Sequence, residues 1–340
     1  MIVCFYGDEC APFVEEVAHD LVIAGRALGA EIQPVTLSAA VCEPWRWRGA
    51  ERAYVLPFAI PRALPDHLPR VGSELVHALF PHAEVINPCH VHDACWDKLT
   101  TARRLLARGV PMPDTLITQE PEEVRDFVGM HGHVVLKEPL SCAGEGHVVV
   151  SLGDEHELVG ETRGRRYLLR LAPEATARRL DDGILSWPAP FYLQRLIAAV
   201  GRKGVLAPAQ VLRAYVVDGR ITFWTERYRE RFRRPSDFII NVALGAKYRF
   251  LSTVSDETGK IAARAAEVMG VRIGAIDLVR AGSEGPYVLE VDTDGEHMII
   301  DRQFKHLPEF RSVFDFDYSI AEVLVAPVAP TRVRTHGRLG

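Results

Sequence analysis

The clearest indication of the fold comes from Ile273-Gly-Ala-Ile-Asp-Leu-Val-Arg280 together with Tyr287-Val-Leu-Glu-Val-Asp292. Both segments are apolar and β-branched and a glycine-containing turn separates them, which predicts two paired strands. The spacing of Glu290 and Asp292 puts both carboxylates on one face of a strand, and an antiparallel neighbour can bring Asp277 to that face. Facing carboxylates must be paired with cations or bind a metal, and oxygen ligands suit Mg²⁺. We predict these three residues as metal ligands, with pairing to Arg or Lys as the alternative.

A second chemical signal is the lysine that ends the apolar strand Val134-Val-Leu-Lys137. A lysine in such surroundings is costly unless its charge meets an anion, and the glycine-containing turn Ser141 to Gly146 offers backbone amides that suit a phosphate. The turn lacks the helix and the Gly-Lys-Ser/Thr ending of a P-loop, so an ordinary hairpin remains an alternative. His147, directly after the turn, is expected to be a strand residue that faces solvent.

Composition narrows the function classes. The chain has 340 residues, with 40 Lys and Arg against 45 Asp and Glu and a formal net charge of −5, which argues against a general nucleic-acid-binding protein. No apolar run approaches the roughly 20 residues of a membrane span. The opening MIVCFYGDEC is expected to be a strand rather than a signal peptide. The six cysteines are then expected to be reduced thiols in the cytoplasm.

The first part of the chain, Met1 to about Pro88, reads as a small α/β unit. A strand at IVCFY is followed by helical spacing from Phe13 to Leu28, with Gly29 as the residue that ends the helix. Further strands are predicted at Ile32 to Leu37 and Ala53 to Phe58. The later part of the chain predicts mainly strands, so the fold class is α/β (α+β).

The ordered set of motifs resembles the ATP-grasp superfamily, nearest to its RimK-type and glutathione-synthetase-like carboxylate–amine ligases. The resemblance spans about residues 95–326. It rests on Asp97-Lys-Leu-Thr-Thr-Ala-Arg-Arg-Leu-Leu-Ala-Arg-Gly-Val-Pro-Met-Pro113, Val134 to Lys137 with Ser141 to Gly146, Tyr192-Leu-Gln-Arg-Leu-Ile197, Leu212-Arg-Ala-Tyr-Val-Val217, Asp237-Phe-Ile-Ile-Asn241 with Gly245, and Ala275 to Asp292.

The resemblance implies an ATP-grasp fold in four segments. Residues 1–92 would form an N-terminal α/β preATP-grasp domain and residues 93–197 the central and lid subdomain. Residues 198–328 would form the C-terminal β-sheet subdomain with the metal site, and residues 329–340 a flexible tail. The implied activity is amide or peptide bond formation through an acyl-phosphate, on an amino acid, a peptide or a natural-product intermediate. The implied cofactors are ATP and one or two Mg²⁺ ions, with Mn²⁺ as a substitute.

The resemblance also implies a role for individual residues. Lys98 and Lys137 would contact the ATP phosphates, which the turn with Ser141, Gly144 and Gly146 would cover. Gln194 and Leu196 would border the adenine. Lys137 and Arg213 would act on the transferred phosphoryl group. Asn241 would lie near the phosphate or metal, and Arg227, Arg229 and His297 are candidates for substrate binding.

This chain departs from the family pattern at several of these positions. Arg195 replaces the acidic residue of the hinge, which leaves ribose recognition unassigned. Asp292 replaces the usual metal-binding Asn, and Ile239 stands where an arginine is expected. The resemblance implies that the position of Ile239 faces the acceptor. Glutamate as the added amino acid is therefore left open.

The sequence leaves three alternative functions open. They are an ATP-grasp kinase, a nucleotide-binding protein without catalysis and a Rossmann-type oxidoreductase. The first strand runs into Gly7-Asp-Glu-Cys-Ala without Gly-x-Gly-x-x-Gly, which disfavours the oxidoreductase. Cys89-His-Val-His-Asp-Ala-Cys95 matches no standard zinc spacing. The expected partners are small-molecule or peptide substrates, with no nucleic acid and no membrane; a homo-oligomer is left open.

Overall fold

The N-terminal part of the chain forms a four-stranded parallel sheet with helices. The computed structural model describes residues 1–7, 12–56, 69–141, 146–200, 206–207, 209–230, 232, 234–293 and 297–326. The sheet has the order β2-β1-β3-β4. Its elements are β1 (Ile2–Tyr6), α1 (Pro12–Ala27), β2 (Ile32–Thr36), α2 (Leu37–Cys42), α3 (Pro44–Trp47), β3 (Arg52–Val55), α4 (Pro69–Leu79) and β4 (Glu84–Ile86). The predicted first strand, helix and second strand are confirmed. The end of the strand predicted at Ala53 to Phe58 lies outside the described residues.

The middle of the chain forms an eight-stranded sheet. Its elements are α5 (Cys89–Trp96), α6 (Lys98–Ala107), β5 (Thr115–Thr118), α7 (Pro121–His131), β6 (Val134–Lys137), β7 (His147–Leu152), β8 (Leu158–Thr162), β9 (Arg165–Leu171), β10 (Arg179–Asp181), β11 (Ile184–Trp187) and β12 (Phe191–Arg195). The strand order is β10-β11-β9-β8-β7-β6-β12-β5. The Asp97 side chain accepts a hydrogen bond from the Leu99 backbone N–H at 3.0 Å and so caps α6. This cap fixes where Lys98 enters the helix.

Alternation along β6 separates a core face from an open face. Val134 and Leu136 are fully buried and belong to a core that also contains Val124 and Val128 of α7. Val135 and Lys137 therefore point to the opposite side of the sheet. This explains how a lysine can stand in an apolar strand, because its side chain leaves the core beneath α7.

The C-terminal part forms a five-stranded antiparallel sheet of order β17-β16-β15-β18-β19. Its elements are a short pair β13 (Ala199–Val200) and β14 (Leu206–Ala207), then β15 (Gln210–Val217), β16 (Arg220–Tyr228), β17 (Lys247–Leu251), α8 (Asp256–Met269), β18 (Ile273–Ala281), β19 (Glu284–Asp292), α9 (His297–Phe304), α10 (Pro308–Arg311) and α11 (Phe316–Val325). Two 3₁₀ turns, Pro235–Phe238 and Val242–Leu244, lie between β16 and β17. The predicted pairing of the two acidic strands is confirmed as β18 with β19.

One face of this five-stranded sheet is covered over only part of its length. Tyr215 of β15 and Ile273 of β18 share a core with Leu21 and Ile86 of the N-terminal sheet and with Ile320 of α11. Farther along the same strands, the packing of the N-terminal sheet and α11 on this face ends. The paired residues Arg213 and Asp277 lie at that boundary, two positions along the same face from Tyr215 and Ala275.

The predicted segment boundary at residue 92 falls inside α5, whereas the boundary at residue 197 falls just after β12. Within the described part of the chain, no helix has the length and apolar character needed to cross a membrane.

Candidate active site

A cleft separates the open face of the eight-stranded sheet from the uncovered part of the five-stranded sheet. The first wall contributes Val135, Lys137, His147, Gln194 and Leu196. The second wall contributes apolar and charged residues, among them Val211, Arg227, Val279, Asp277, Leu289 and Glu290. The cavity thus combines an apolar lining with opposed charges, as an elongated ligand with a flat apolar part and an anionic part would require.

Two buried lysines meet at the inner end of the cleft. Lys98 Nζ lies 3.0 Å from Glu290 Oε1 and also donates to the Ser141 carbonyl. Lys137 Nζ donates to Gln194 Oε1, and Gln194 in turn donates to Thr115 Oγ1 at 3.4 Å. Burial, against the opposing charge of Glu290 and with a smaller contribution from Lys98, lowers the pKa of Lys137 to about 8. The structure brings together both lysines that the family resemblance implies for phosphate binding.

The three predicted metal ligands come together on β18 and β19. Asp277 is paired in register with Glu290, and Asp292 follows two residues later on the same strand. Asp277 is buried against two arginines, with its Oδ2 at 2.8 Å from Arg227 Nη1 and 3.5 Å from Arg213 Nη1. Arg213 Nη2 also contacts Asp292. The predicted alternative, pairing of the acidic trio with cations, is therefore present in this structure.

The donor chemistry of the trio still fits a magnesium ion at its outer edge. The side chains of Glu290 and Asp292 are 35% and 34% exposed, respectively, so their oxygens can be reached from the cleft. Desolvation raises the pKa of Glu290, but Lys98 and Lys137 outweigh it and the net shift is downward. The carboxylate is therefore ionised at neutral pH, as an Mg²⁺ ligand must be. Among the described residues, however, no group of three or more His, Cys, Asp or Glu side chains is arranged to hold a metal ion.

The hinge residues lie on β12 and directly after it. Gln194 is buried at the cleft, and Leu196 lines the same cavity while its backbone N–H donates to the His133 carbonyl at 3.1 Å. Arg195, which replaces the family's acidic residue, pairs with Asp114 at 2.8 Å and with Glu284 of β19. The arginine thus connects the hinge to the start of the acidic strand.

The base of the β6–β7 connection is closed by main-chain contacts. The Glu138 N–H donates to the Gly146 carbonyl at 2.9 Å, and Ser141 Oγ donates to the Glu138 carbonyl at 3.1 Å. Gly146 has φ = 68°, and a Cβ there would lie 2.9 Å from Glu138 Cβ. The position therefore requires glycine. Gly144 lies outside the described residues.

The structure places the predicted substrate-binding residues in different surroundings. Arg227 and Asn241 both line the cleft, although Arg227 is buried rather than part of a solvated basic face. Arg229 is held by Asp237 at 3.2 Å and by the Leu244 carbonyl. The prediction for His297 is not supported, because its ring is only 2% exposed. It packs edge-on against Tyr215, with Nε2 at 3.1 Å from the Val216 carbonyl oxygen, and so belongs to the core beneath the site.

Sequence reasoning misplaced His147 and overlooked Asn87. His147 was expected to face solvent, but it lies opposite Lys137 and lines the cleft. The signal was the hairpin itself, because residues directly opposite each other in an antiparallel pair share a face. Asn87 bonds the ends of β18 and β19, and no local pattern in the sequence indicates that long-range role.

The Cys89 to Cys95 segment is an α-helix, α5. Its Cys95 is buried, and burial raises the pKa of that thiol. His92 Nδ1 lies 2.7 Å from Thr293 Oγ1, in a hydrogen bond between side chains. These contacts agree with a structural role for Cys95 and His92.

Comparison with known proteins identifies a similar domain and similar relatives. Residues 204–306 match the family described as RimK-like ATP-grasp domain. The chain is 26% identical over 236 residues, 66% of its length and 67% of the relative's, to a protein named probable alpha-L-glutamate ligase from Xylella fastidiosa (strain M12). It is 26% identical over 197 residues to probable alpha-L-glutamate ligase 1 from Hahella chejuensis (strain KCTC 2396), and this alignment covers 58% of the chain and 54% of that relative. The chain thus spans between about half and two thirds of these relatives.

Solved structures show the same fold. The ATP-grasp ligase PsnB complexed with its minimal precursor superposes with a TM-score of 0.57 at 17% identity, over 95% of this chain and 98% of that one. A Chryseobacterium gregarium RiPP-associated ATP-grasp ligase, in complex with ADP and a leader and core peptide, gives 0.58 at 14% identity, over 95% and 96%. The predicted fold class, an α/β fold of the ATP-grasp type, is confirmed by these matches. The chain has the fold of the ATP-grasp ligases, and its residues 204–306 are similar to a RimK-like ATP-grasp domain, as its motifs predict.

Proposed function

We propose that the protein is an ATP- and Mg²⁺-dependent carboxylate–amine ligase that forms an amide or peptide bond and releases ADP and phosphate. The observation that carries this proposal is the arrangement at the inner end of the cleft. Four buried cations, Lys98, Lys137, Arg213 and Arg227, face three carboxylates there. Such a set can hold a polyphosphate and stabilise charge that moves between its oxygens.

The proposed reaction has two displacements. A carboxylate oxygen of the acyl donor attacks the γ-phosphorus of ATP, the bond to the β–γ bridging oxygen breaks, and ADP leaves. The nitrogen of the amine then attacks the acyl carbon of the acyl-phosphate, phosphate leaves, and the amine loses a proton. The protein has no covalent role in either step, so its contribution is to position the reactants and neutralise charge.

Each residue has a defined task in this proposal. Lys98 and Lys137 bind the phosphates, and Arg213 contacts the phosphoryl group in transfer. The connection between Ser141 and Gly146 covers the acyl-phosphate against water. Asp277, Glu290 and Asp292 are the residues that would hold Mg²⁺, which would neutralise phosphate charge when bound.

The substrates are proposed as a class. The curated relatives are named glutamate ligases, whereas one of the solved neighbours is in complex with ADP and a leader and core peptide. The cleft wall of this chain is apolar at Ile239 and Ile240 and carries Arg227 and Asn241 nearby. We therefore propose an amino acid, a peptide or a natural-product intermediate as substrate, without assigning glutamate. A reducing cytoplasm, in which Cys4, Cys42 and Cys95 stay as the free thiols seen here, is part of the proposal.

The test is a panel of carboxylate and amine pairs incubated with the protein, ATP and Mg²⁺. We expect phosphate release that depends on both substrates, with a product whose mass is that of the two substrates less one water. Lys137→Ala and Glu290→Ala should abolish turnover, whereas Arg264→Ala, which removes an exposed pair with Glu267 on α8, should leave it unchanged. A phosphorylated product without free phosphate would instead establish a kinase. Failure of the protein to bind ATP would exclude both activities.

A further inference from the structure

His147 lies in the cleft but has no role in the proposed reaction. It begins β7 and is paired in register with Lys137 of β6. Residues opposite each other in an antiparallel pair project to the same face. His147 accordingly lines the same cavity as Lys137, Gln194 and Leu196.

The ring nitrogen Nε2 of His147 is buried and has no hydrogen-bond partner among the described residues. A buried polar atom without a hydrogen-bond partner costs free energy. Burial, together with Lys137 and Lys98, lowers the pKa of His147 well below its usual value. The ring is therefore neutral at physiological pH, with one nitrogen as a donor and the other as an acceptor.

The other polar side chains on this wall already have partners. Lys137 donates to Gln194, and Gln194 donates to Thr115. Arg195 is paired with Asp114 and Glu284. Among the described residues of β6, β7 and β12, His147 is the one with a buried side-chain nitrogen or oxygen that has no hydrogen-bond partner.

We propose that His147 is a further nucleotide-contacting residue, whose ring Nε2 forms a hydrogen bond with the nucleotide bound in this cleft. The contact is to the purine base or to the phosphate nearest the base. This inference rests on the proposed function only in that it requires ATP to occupy the cleft between the two sheets. It needs no particular acyl donor or amine.

The experiment measures the dissociation constant of ADP with Mg²⁺ by calorimetry for four proteins: wild type, His147→Val, His147→Gln and Ser151→Val. Loss of one hydrogen bond should weaken ADP binding by about 3- to 10-fold in His147→Val. The amide of His147→Gln should restore affinity to within about 2-fold, since it can again donate and accept. Ser151→Val is the matched control, because Ser151 lies on the same strand and face but outside the cavity. Adenosine serves as a second probe: weakened adenosine binding in His147→Val locates the contact at the base, and loss with ADP alone locates it at a phosphate.

Three outcomes would overturn the proposal. Equal ADP affinity of wild type and His147→Val would refute it while leaving the ligase function intact. Equal weakening in His147→Val and His147→Gln, with a lowered melting temperature of both proteins without ligand, would show that the ring only packs. Absence of ADP binding by the wild type would refute both this inference and the proposed function.

Discussion

At the scale of single residues, the cleft holds its charges in pairs before any ligand arrives. Lys98 is paired with Glu290, and Asp277 lies between Arg213 and Arg227. Lys137 differs, because its hydrogen bond is to the neutral amide of Gln194. Burial of its ammonium group without a direct carboxylate contact among the described residues lowers the pKa of Lys137 to about 8.

This lowered pKa predicts a pH dependence of nucleotide binding. Burial holds the pKa of Lys137 at about 8 in the free protein, and a bound phosphate must raise it by favouring the ammonium form. Binding is therefore linked to proton uptake above pH 8. We expect the dissociation constant of ADP with Mg²⁺ to be flat near pH 7 and to increase by up to about tenfold per unit above pH 8. Calorimetry between pH 7 and 9.5 measures this dependence. Lys137→Arg, whose guanidinium stays charged, should flatten the profile, and a flat profile in the wild type would contradict the prediction.

Single residues also show where prediction from the sequence stops. The roles of Lys137, Asp277, Glu290 and Asp292 stay predictions, but their placement could be predicted because strand alternation specifies which side chains share a face. The placement of His297 could not be predicted, because whether it faces the cleft or the core depends on α9 and on the aromatic residues packed around it.

At the scale of elements, β18 and β19 owe their close approach to glycine. A Cβ on Gly274 would lie 2.3 Å from the Asp292 carbonyl oxygen and 3.2 Å from Thr293 Cα. Both contacts are with backbone, which cannot move aside as a flexible side chain can. Gly274 thus permits the end of the acidic strand to sit where Asp292 reaches Arg213.

We accordingly predict that Gly274→Ala destabilises the protein and impairs the site. The added methyl group should lower the free energy of unfolding by about 1–3 kcal/mol, the usual cost of overpacking. It should also reduce kcat/KM in the ligation assay, since the Asp292 backbone must shift. Denaturant unfolding and steady-state kinetics measure the two effects. Gly259→Ala in α8 is the control, because a Cβ there meets open space and alanine favours a helix. An unchanged unfolding midpoint in Gly274→Ala would show that the strands are not so tightly constrained.

The elements themselves were largely predictable, because strand and helix patterns are local. The strands β6, β7 and β18 follow the expected segments within a residue or two, and β19 begins three residues before the predicted Tyr287. The strand order was not predicted, since nothing in a strand's own residues says that β12 lies between β5 and β6.

At the scale of the whole molecule, side chains as well as a shared core connect the N-terminal sheet to the five-stranded sheet. Asn87 Oδ1 accepts from the backbone N–H groups of Arg272 and Ile273 at 2.8 and 3.1 Å, and its amide donates to the carbonyls of Ile273 and Thr293. Arg52 of β3 donates to the Leu324 carbonyl at the end of α11 at 2.7 Å. Thr293 directly follows Asp292, so the N-terminal unit supports the acidic strand at its end.

We therefore expect Asn87→Ala to affect the active site from a distance. Loss of its four hydrogen bonds should reduce the free energy of unfolding by about 2–4 kcal/mol and lower kcat/KM. Asn87→Asp keeps the acceptor oxygen but loses the donors, so its effect should be intermediate. Gln33→Ala, which removes an exposed bond to Glu31, should match the wild type. Thermal melts and ligation kinetics of the three variants test the order. Wild-type values for Asn87→Ala would show that the shared core alone holds the units together.

The alternation of β6 has a consequence for how the chain can change in length. Val134 and Leu136 face α7, whereas Val135 and Lys137 face the cleft. A deletion or insertion of one residue within this strand would exchange the core-facing and the cleft-facing side chains. It would carry the lysine into the core and Leu136 into the cleft. The β9–β11 region at the far edge of the sheet has no such constraint from the cleft. Natural variation in length should therefore accumulate at that outer edge and be absent from the four residues of β6.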